Sequence, residues 1–180
     1  GVVTVSYRCG GAEFRRDCLA HASLPVIALR LTAGGAPLRA TLRLGRIDDP
    51  DCTLAGQAAP GRITLTGHFP EGVRFAVEAK VLASGGEQRP GEGTALAVEA
   101  GEVLVVLSIA VDLDGGDPLP ACREQLASQP SGAEASCSIR TSAPTASSTA
   151  ACGWRSGRTA PTSPPTAAWT TSAAAATTTA

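Results

Sequence analysis

His21 and His68 are the only two histidines of the chain and its natural candidates for moving protons near neutral pH. His21 stands between Ala20 and Ala22, and His68 lies in a Gly-His-Phe-Pro turn. A triad or a metal site would place a Ser, Cys or carboxylate near them at a telling spacing. Neither histidine has such a neighbour, and both read as ordinary turn residues. Asp48, Asp49 and Asp51 gather around Pro50. Calcium would take about six to eight oxygen ligands, whereas Asp in such a turn readily hydrogen-bonds its own backbone, so a solvated turn is expected. Asp112, Asp114 and Asp117 open like a calcium loop, but Pro and Leu fill the positions where further ligands would stand.

Other chemistries fare no better. Gly85, Gly86 and Gly93 make a glycine-rich stretch, yet no Lys-Ser or Lys-Thr follows and no helix begins there, and a phosphate cradle needs both. That segment reads as a flexible hairpin loop. Aromatic residues are 3% of the chain. Phe75 falls on a core-facing position, and Tyr7, Phe14 and Phe69 are too dispersed to make a visible sugar-stacking platform. The six cysteines, Cys9, Cys18, Cys52, Cys122, Cys137 and Cys152, show no CxxC pair. A Cys9–Cys18 bridge is conceivable across a hairpin, but isolated thiols are the simpler reading. The expected inventory is therefore no catalytic residue, no cofactor-binding residue, no metal ligand and no cofactor.

Bulk properties exclude further classes. With 15 basic and 16 acidic residues the formal charge is −1, which gives no field to gather nucleic acid or an anionic membrane. No apolar run approaches a membrane span, and the first residues alternate like a strand where a signal peptide would carry an apolar core. The sequence leaves the compartment open. The chain contains no methionine, which suggests a processed or partial chain and a domain incomplete at its N-terminal side.

The elements that would hold any site are strands. Leu38, Ala40, Leu42 and Leu44 alternate with Arg39, Thr41 and Arg43, the period-two pattern of a strand with one dry and one wet face. Ile63 and Leu65 alternate with Thr64 and Thr66. Val73, Phe75, Val77, Ala79 and Val81 alternate with Arg74, Glu78 and Lys80. Further strands are expected over 2–8, 13–21, 25–33, 94–99 and 102–113. The last is apolar on both faces at 103–107 and is expected to be central. About eight strands with short Gly, Pro and Asp turns and no helical periodicity predict an all-β antiparallel β-sandwich over 1–126. From 127 to 180 the chain is rich in Ala, Ser, Thr and Pro, with Ile139 its only large aliphatic residue. Such a composition predicts disorder.

Three motifs in order resemble the N-terminal domain of family 95 glycoside hydrolases, the α-L-fucosidase-like enzymes. They are Val5-Ser6-Tyr7, Phe14-Arg15-Arg16-Asp17 and Val26-Ile27-Ala28-Leu29-Arg30-Leu31-Thr32. Ile63-Thr64-Leu65-Thr66-Gly67, Gly72-Val73-Arg74-Phe75, Val98-Glu99-Ala100-Gly101-Glu102-Val103 and Leu107-Ser108-Ile109-Ala110 follow in the family's order. Two departures stand out: Asp17-Cys18-Leu19-Ala20-His21 replaces the commoner Glu-x-Phe-Ala-Ser, and the family's opening segment rich in Trp, Asn and Gly is absent. The resemblance implies a supersandwich-type domain that packs through a helical linker against an (α/α)6 catalytic barrel. The barrel would be the domain's partner and the seat of the catalytic acid and base, and carbohydrate would be met only through that parent enzyme. No catalytic position of the family has a counterpart in this chain.

The same resemblance bears on the tail. Read one base earlier, codons for Ser147-Ser148-Thr149-Ala150 permit Leu-Phe-Asp-Arg, and those for Ser163-Pro164-Pro165-Thr166 permit Leu-Pro-Thr-Asp. Both are segments typical of the family downstream of the sandwich, so a frameshift between about 121 and 141 is expected to have produced the tail. The competing expectation is a free-standing β-sandwich binding or surface module on a Ser/Thr-rich stalk.

Overall fold

The computed structural model describes residues 1–21, 24–35, 37–128 and 175–176. The first three strands are β1 (Val2–Cys9), β2 (Ala12–Ala20) and β3 (Val26–Gly34). Gly10 and Gly11, with φ of 58° and 82°, turn β1 into β2, a conformation that two L-residues with side chains resist. β4 (Leu38–Gly45) follows, then β5 (Thr53–Ala59), β6 (Arg62–His68), β7 (Arg74–Ser84) and β8 (Glu87–Pro90). β9 (Ala95–Ala100), β10 (Glu102–Asp112), α1 (Leu119–Ala127) and the two-residue β11 (Ala175–Ala176) complete the described elements.

Seven strands form one antiparallel sheet in the order β1-β2-β3-β10-β7-β6-β5, and β11-β4-β9-β8 form a second. Leu38, Ala40, Leu42 and Leu44 of β4 and Leu96 and Val98 of β9 pack on Leu31, Ile63, Leu65, Val77, Val81, Val103, Val105 and Leu107 of the larger sheet. The fold is thus the all-β antiparallel sandwich that the alternation foretold. β10 lies between β3 and β7, in the middle of the seven-stranded sheet, as its apolar run on both faces required.

The second face of β10 is covered by α1, an element that periodicity did not reveal. Leu126 packs with Val26, Leu104 and Val106, and Cys122 is fully buried. Residues 118, 122 and 126 lie one turn apart and are all buried, so the helix puts a single narrow stripe on the sheet. Three expectations are corrected by this packing. Glu78 and Thr64, assigned to the wet face, are 3% and 6% exposed, because that face lies under the helix. The chain also has a helix where none was expected from pattern, though the resemblance implied one. Finally, β5 and β8 are strands the alternation missed. β8 occupies part of what read as a glycine-rich loop, and Gln88 on it accepts from the backbone of Gly61 at 2.6 Å. The expected disorder of 127–180, and the thiols Cys137 and Cys152, lie outside the described residues apart from 127, 128 and the backbone of 175–176.

Candidate functional site

The outer face of the seven-stranded sheet, the one α1 covers, carries the buried charges. Glu78 stands on β7 with its carboxylate beneath the helix. Arg123 of α1 donates from Nε to Oε2 at 3.1 Å, Arg62 Nε lies 3.5 Å from Oε1, and Thr64 Oγ1 donates at 3.3 Å. Two guanidinium groups and a hydroxyl thus surround a carboxylate taken out of water, as a buried charge requires. Beside it, Ser108 Oγ meets the side chain of Gln125, and the Cys122 thiol lies 3.2 Å from the carbonyl of Ala76. Burial pushes that thiol's pKa up and keeps it an inert apolar filler.

A second buried carboxylate, Asp17, lies three strands away on β2. It accepts from Thr4 Oγ1 at 2.7 Å and from Arg15 Nε at 3.0 Å. Arg30 Nη1 stands 3.8 Å off, and its Nη2 meets Glu102 at 2.6 Å. Burial alone would raise the Asp17 pKa, but the Arg15 and Thr4 hydrogen bonds and the charges of Arg15 and Arg30 outweigh it and hold the carboxyl below its ordinary value. These contacts follow from register, since Thr4, Asp17 and Arg30 are successive cross-strand partners.

Both carboxylates therefore sit in arginine cradles, and neither is free for acid–base work. Strand spacing and register also put them on the order of 20 Å apart, well beyond the roughly 5 to 10 Å between the paired carboxyls of a glycosidase. What this face can do is hold: the Glu78 cluster clamps the helix, and the Asp17 ladder ties β1 and β2 to β3 and β10.

The residues singled out from sequence are scattered. His21 Nδ1 accepts from the Leu24 backbone at 3.1 Å in the β2–β3 loop, while His68 ends β6 at the surface. Asp49 accepts from the Asp51 backbone at 3.2 Å and pairs with Arg46 at 2.7 Å. Asp112 accepts from the backbones of Asp114 and Gly116 at 3.0 and 2.7 Å. Both are Asx-type turns, and no cluster of three metal-ligating side chains occurs among the described residues. Tyr7 and Phe14 stack at 5.3 Å on the β1–β2 hairpin, whereas Phe69 and Phe75 meet at 6.3 Å beside β6 and β7 under the guanidinium of Arg46. The four rings form two separate pairs, not one platform. Cys9 and Cys18, six rungs apart by register and both free thiols, lie too far from each other for a bridge.

The motif Phe14-Arg15-Arg16-Asp17 now has a physical reading. Phe14 stacks on Tyr7 and Arg16 lies over the same ring at 5.2 Å, both on the inner face. Arg15 and Asp17 build the charge ladder on the outer face. Sequence reasoning passed over Asp17 and Glu78 because Glu78 alternates with Val77 and Ala79 as a solvated residue would, and Asp17 ends a charged run after Arg15 and Arg16. The available signal was the Asp117-Pro118 pair, a helix start, which announces an element able to bury what lies beneath it.

The described residues form a two-sheet antiparallel sandwich whose buried charges bind its own strands and one helix. A family model described as the N-terminal domain of glycosyl hydrolase family 65 matches residues 1–115, and the chain belongs to that family: it is an accessory domain of the glycoside hydrolase type. No curated protein matches the chain. The matching model is a family 65 one, so the family 95 likeness of the motifs is a narrower reading than the match itself.

Proposed function

We propose that the chain is the non-catalytic N-terminal brace of an α-L-fucosidase-like glycoside hydrolase, packing against an (α/α)6 barrel that carries the acid and base. The observation that carries this reading is the clamp on α1. A helix fixed to the sheet by Glu78–Arg123, Ser108–Gln125 and Leu126 is a rigid lever through which a sandwich can position whatever follows it. The family motifs support the fucosidase-like specificity. In the same reading the Ala, Ser, Thr and Pro-rich stretch after 127 comes from a shifted frame, and sequencing the gene in the alternate frame checks that point: a long barrel-coding frame supports it and a frame closed by stops removes it.

The test is reconstitution. The purified chain is mixed with an α-L-fucosidase barrel expressed without its own N-terminal domain. Binding that raises the barrel's melting temperature and its turnover of an aryl α-L-fucoside is the expected result. Failure to bind this barrel, with binding to one of another specificity, would remove the fucosidase assignment and keep the brace.

A further inference from the structure

The two sheets differ in extent, and the difference leaves uncovered ground. Gln88 of β8 bonds the turn between β5 and β6, so the smaller sheet lies toward that side and β4 is its edge facing β1, β2 and β3. Beyond β4 the inner face of the larger sheet continues without cover among the described residues. Val3 and Val5, 65% and 50% exposed, stand there with Ile27, Ile109 and Val111. By register they belong to the same face as Leu31, Val105 and Leu107, which the smaller sheet buries.

The strand that borders this apolar shelf has an open edge. β4 pairs with β9 from Leu38 to Arg43 on one side, and on its other side only Leu44 and Gly45 are paired, with Ala176 and Ala175. That short antiparallel pairing marks the edge as one that accepts a strand, while the backbone from Leu38 to Arg43 has no partner there among the described residues. Charge flanks it. Arg39 on the solvent face of β4 is held by Glu99 at 2.9 Å, but Arg43 on the same face is exposed and forms no ion pair among the described residues. Arg16, on the shelf itself, donates to the Tyr7 hydroxyl at 3.0 Å.

We propose that the β4 edge receives an extended segment of another protein in which apolar residues alternate with acidic ones. Period-two alternation would set the apolar side chains down on Val3, Val5 and Ile27 and the carboxylates up beside Arg43, the β-strand-addition mode of recognition. Directly opposed unlike charges stabilise such a pair and like charges oppose it. A second copy of this chain does not meet that requirement. Its edge strands are β1, whose one charge is Arg8, β5, which has none, β4 itself, which carries only arginines, and the four-residue β8, whose Glu87 is paired with Arg89 and has no apolar alternation beside it. The inference does not depend on which catalytic domain the sandwich braces, and its failure leaves that reading untouched.

The probe is a fluorescein-labelled synthetic strand of about six residues alternating valine and glutamate, titrated into the full chain beside a matched valine–lysine peptide. The glutamate peptide is expected to bind saturably and to shift the backbone amide resonances of 38–43. Arg43→Glu is expected to weaken that binding about tenfold and to admit the lysine peptide instead. Equal binding of the two peptides, indifference to Arg43→Glu, amide shifts confined to β1 or β5, or no saturable binding would each overturn the proposal. So would self-association of the chain through 38–43.

Discussion

Arg123 on the helix and Glu78 on the sheet meet at 3.1 Å across 45 positions of sequence. The pair is asymmetric: the Glu78 side chain is 4% exposed and that of Arg123 48%. The cation can return to water if it loses its partner, whereas the anion cannot. That asymmetry decides what each substitution costs.

Replacing both Arg62 and Arg123 by Ala leaves the Glu78 carboxylate buried and uncompensated, and is expected to destabilise the domain by about 3 kcal/mol. Glu78→Gln keeps the shape and frees two guanidinium groups that rehydrate, so a loss of only about 1 kcal/mol is expected. Urea unfolding of the two variants measures the order, and a costlier Glu78→Gln would contradict the clamp as described.

The Asp17 ladder makes an expectation about pH. Its folded pKa lies below the ordinary value, so the folded state binds a proton less readily than the unfolded chain. The stability it confers is complete above the unfolded pKa of about 4 and is lost as pH falls through the folded value. Asp17→Asn should therefore lower stability at neutral pH and flatten the acid limb of the stability curve. A parallel downward shift at every pH would contradict this origin.

Gly67 of β6 lies opposite Phe75 of β7, and a Cβ at Gly67 would run into the Phe75 ring and Leu54. Gly67→Ala is expected to cost about 2 kcal/mol by displacing that ring, with loss of the upfield-shifted ring-current signals that report it. Both residues belong to motifs that carry the family likeness, and their pairing gives those motifs a packing reason.

How much of this was legible from sequence depended on what covers each face. β4 and the centre of β10 could be read because the larger sheet covers β4 on one face only and because β10 is covered on both, so hydrophobicity recorded burial directly. Glu78 and Thr64 misled because the cover over them is a nine-residue helix that touches the sheet with few large apolar side chains and satisfies the rest with Arg123 and Gln125. β5 escaped notice because Thr53–Ala59 is built from small residues beside Gly56, where a Cβ would meet Thr94 and Leu65. β8 is four residues at an edge, too short for a period to show. The self-bonded aspartate turn at Asp49 was readable, since it rests on short spacing. The two buried carboxylates were not, since they rest on register between distant strands.

The central proposal, that this glycosidase-family domain acts as a brace without chemistry of its own, is tested most directly by assaying the purified chain against aryl α-L-fucosides and other aryl glycosides from mildly acid to mildly alkaline pH. No turnover above the blank is expected at any pH. Hydrolysis that co-purifies with the chain and disappears on replacing Asp17, Glu78, His21 or His68 would contradict it.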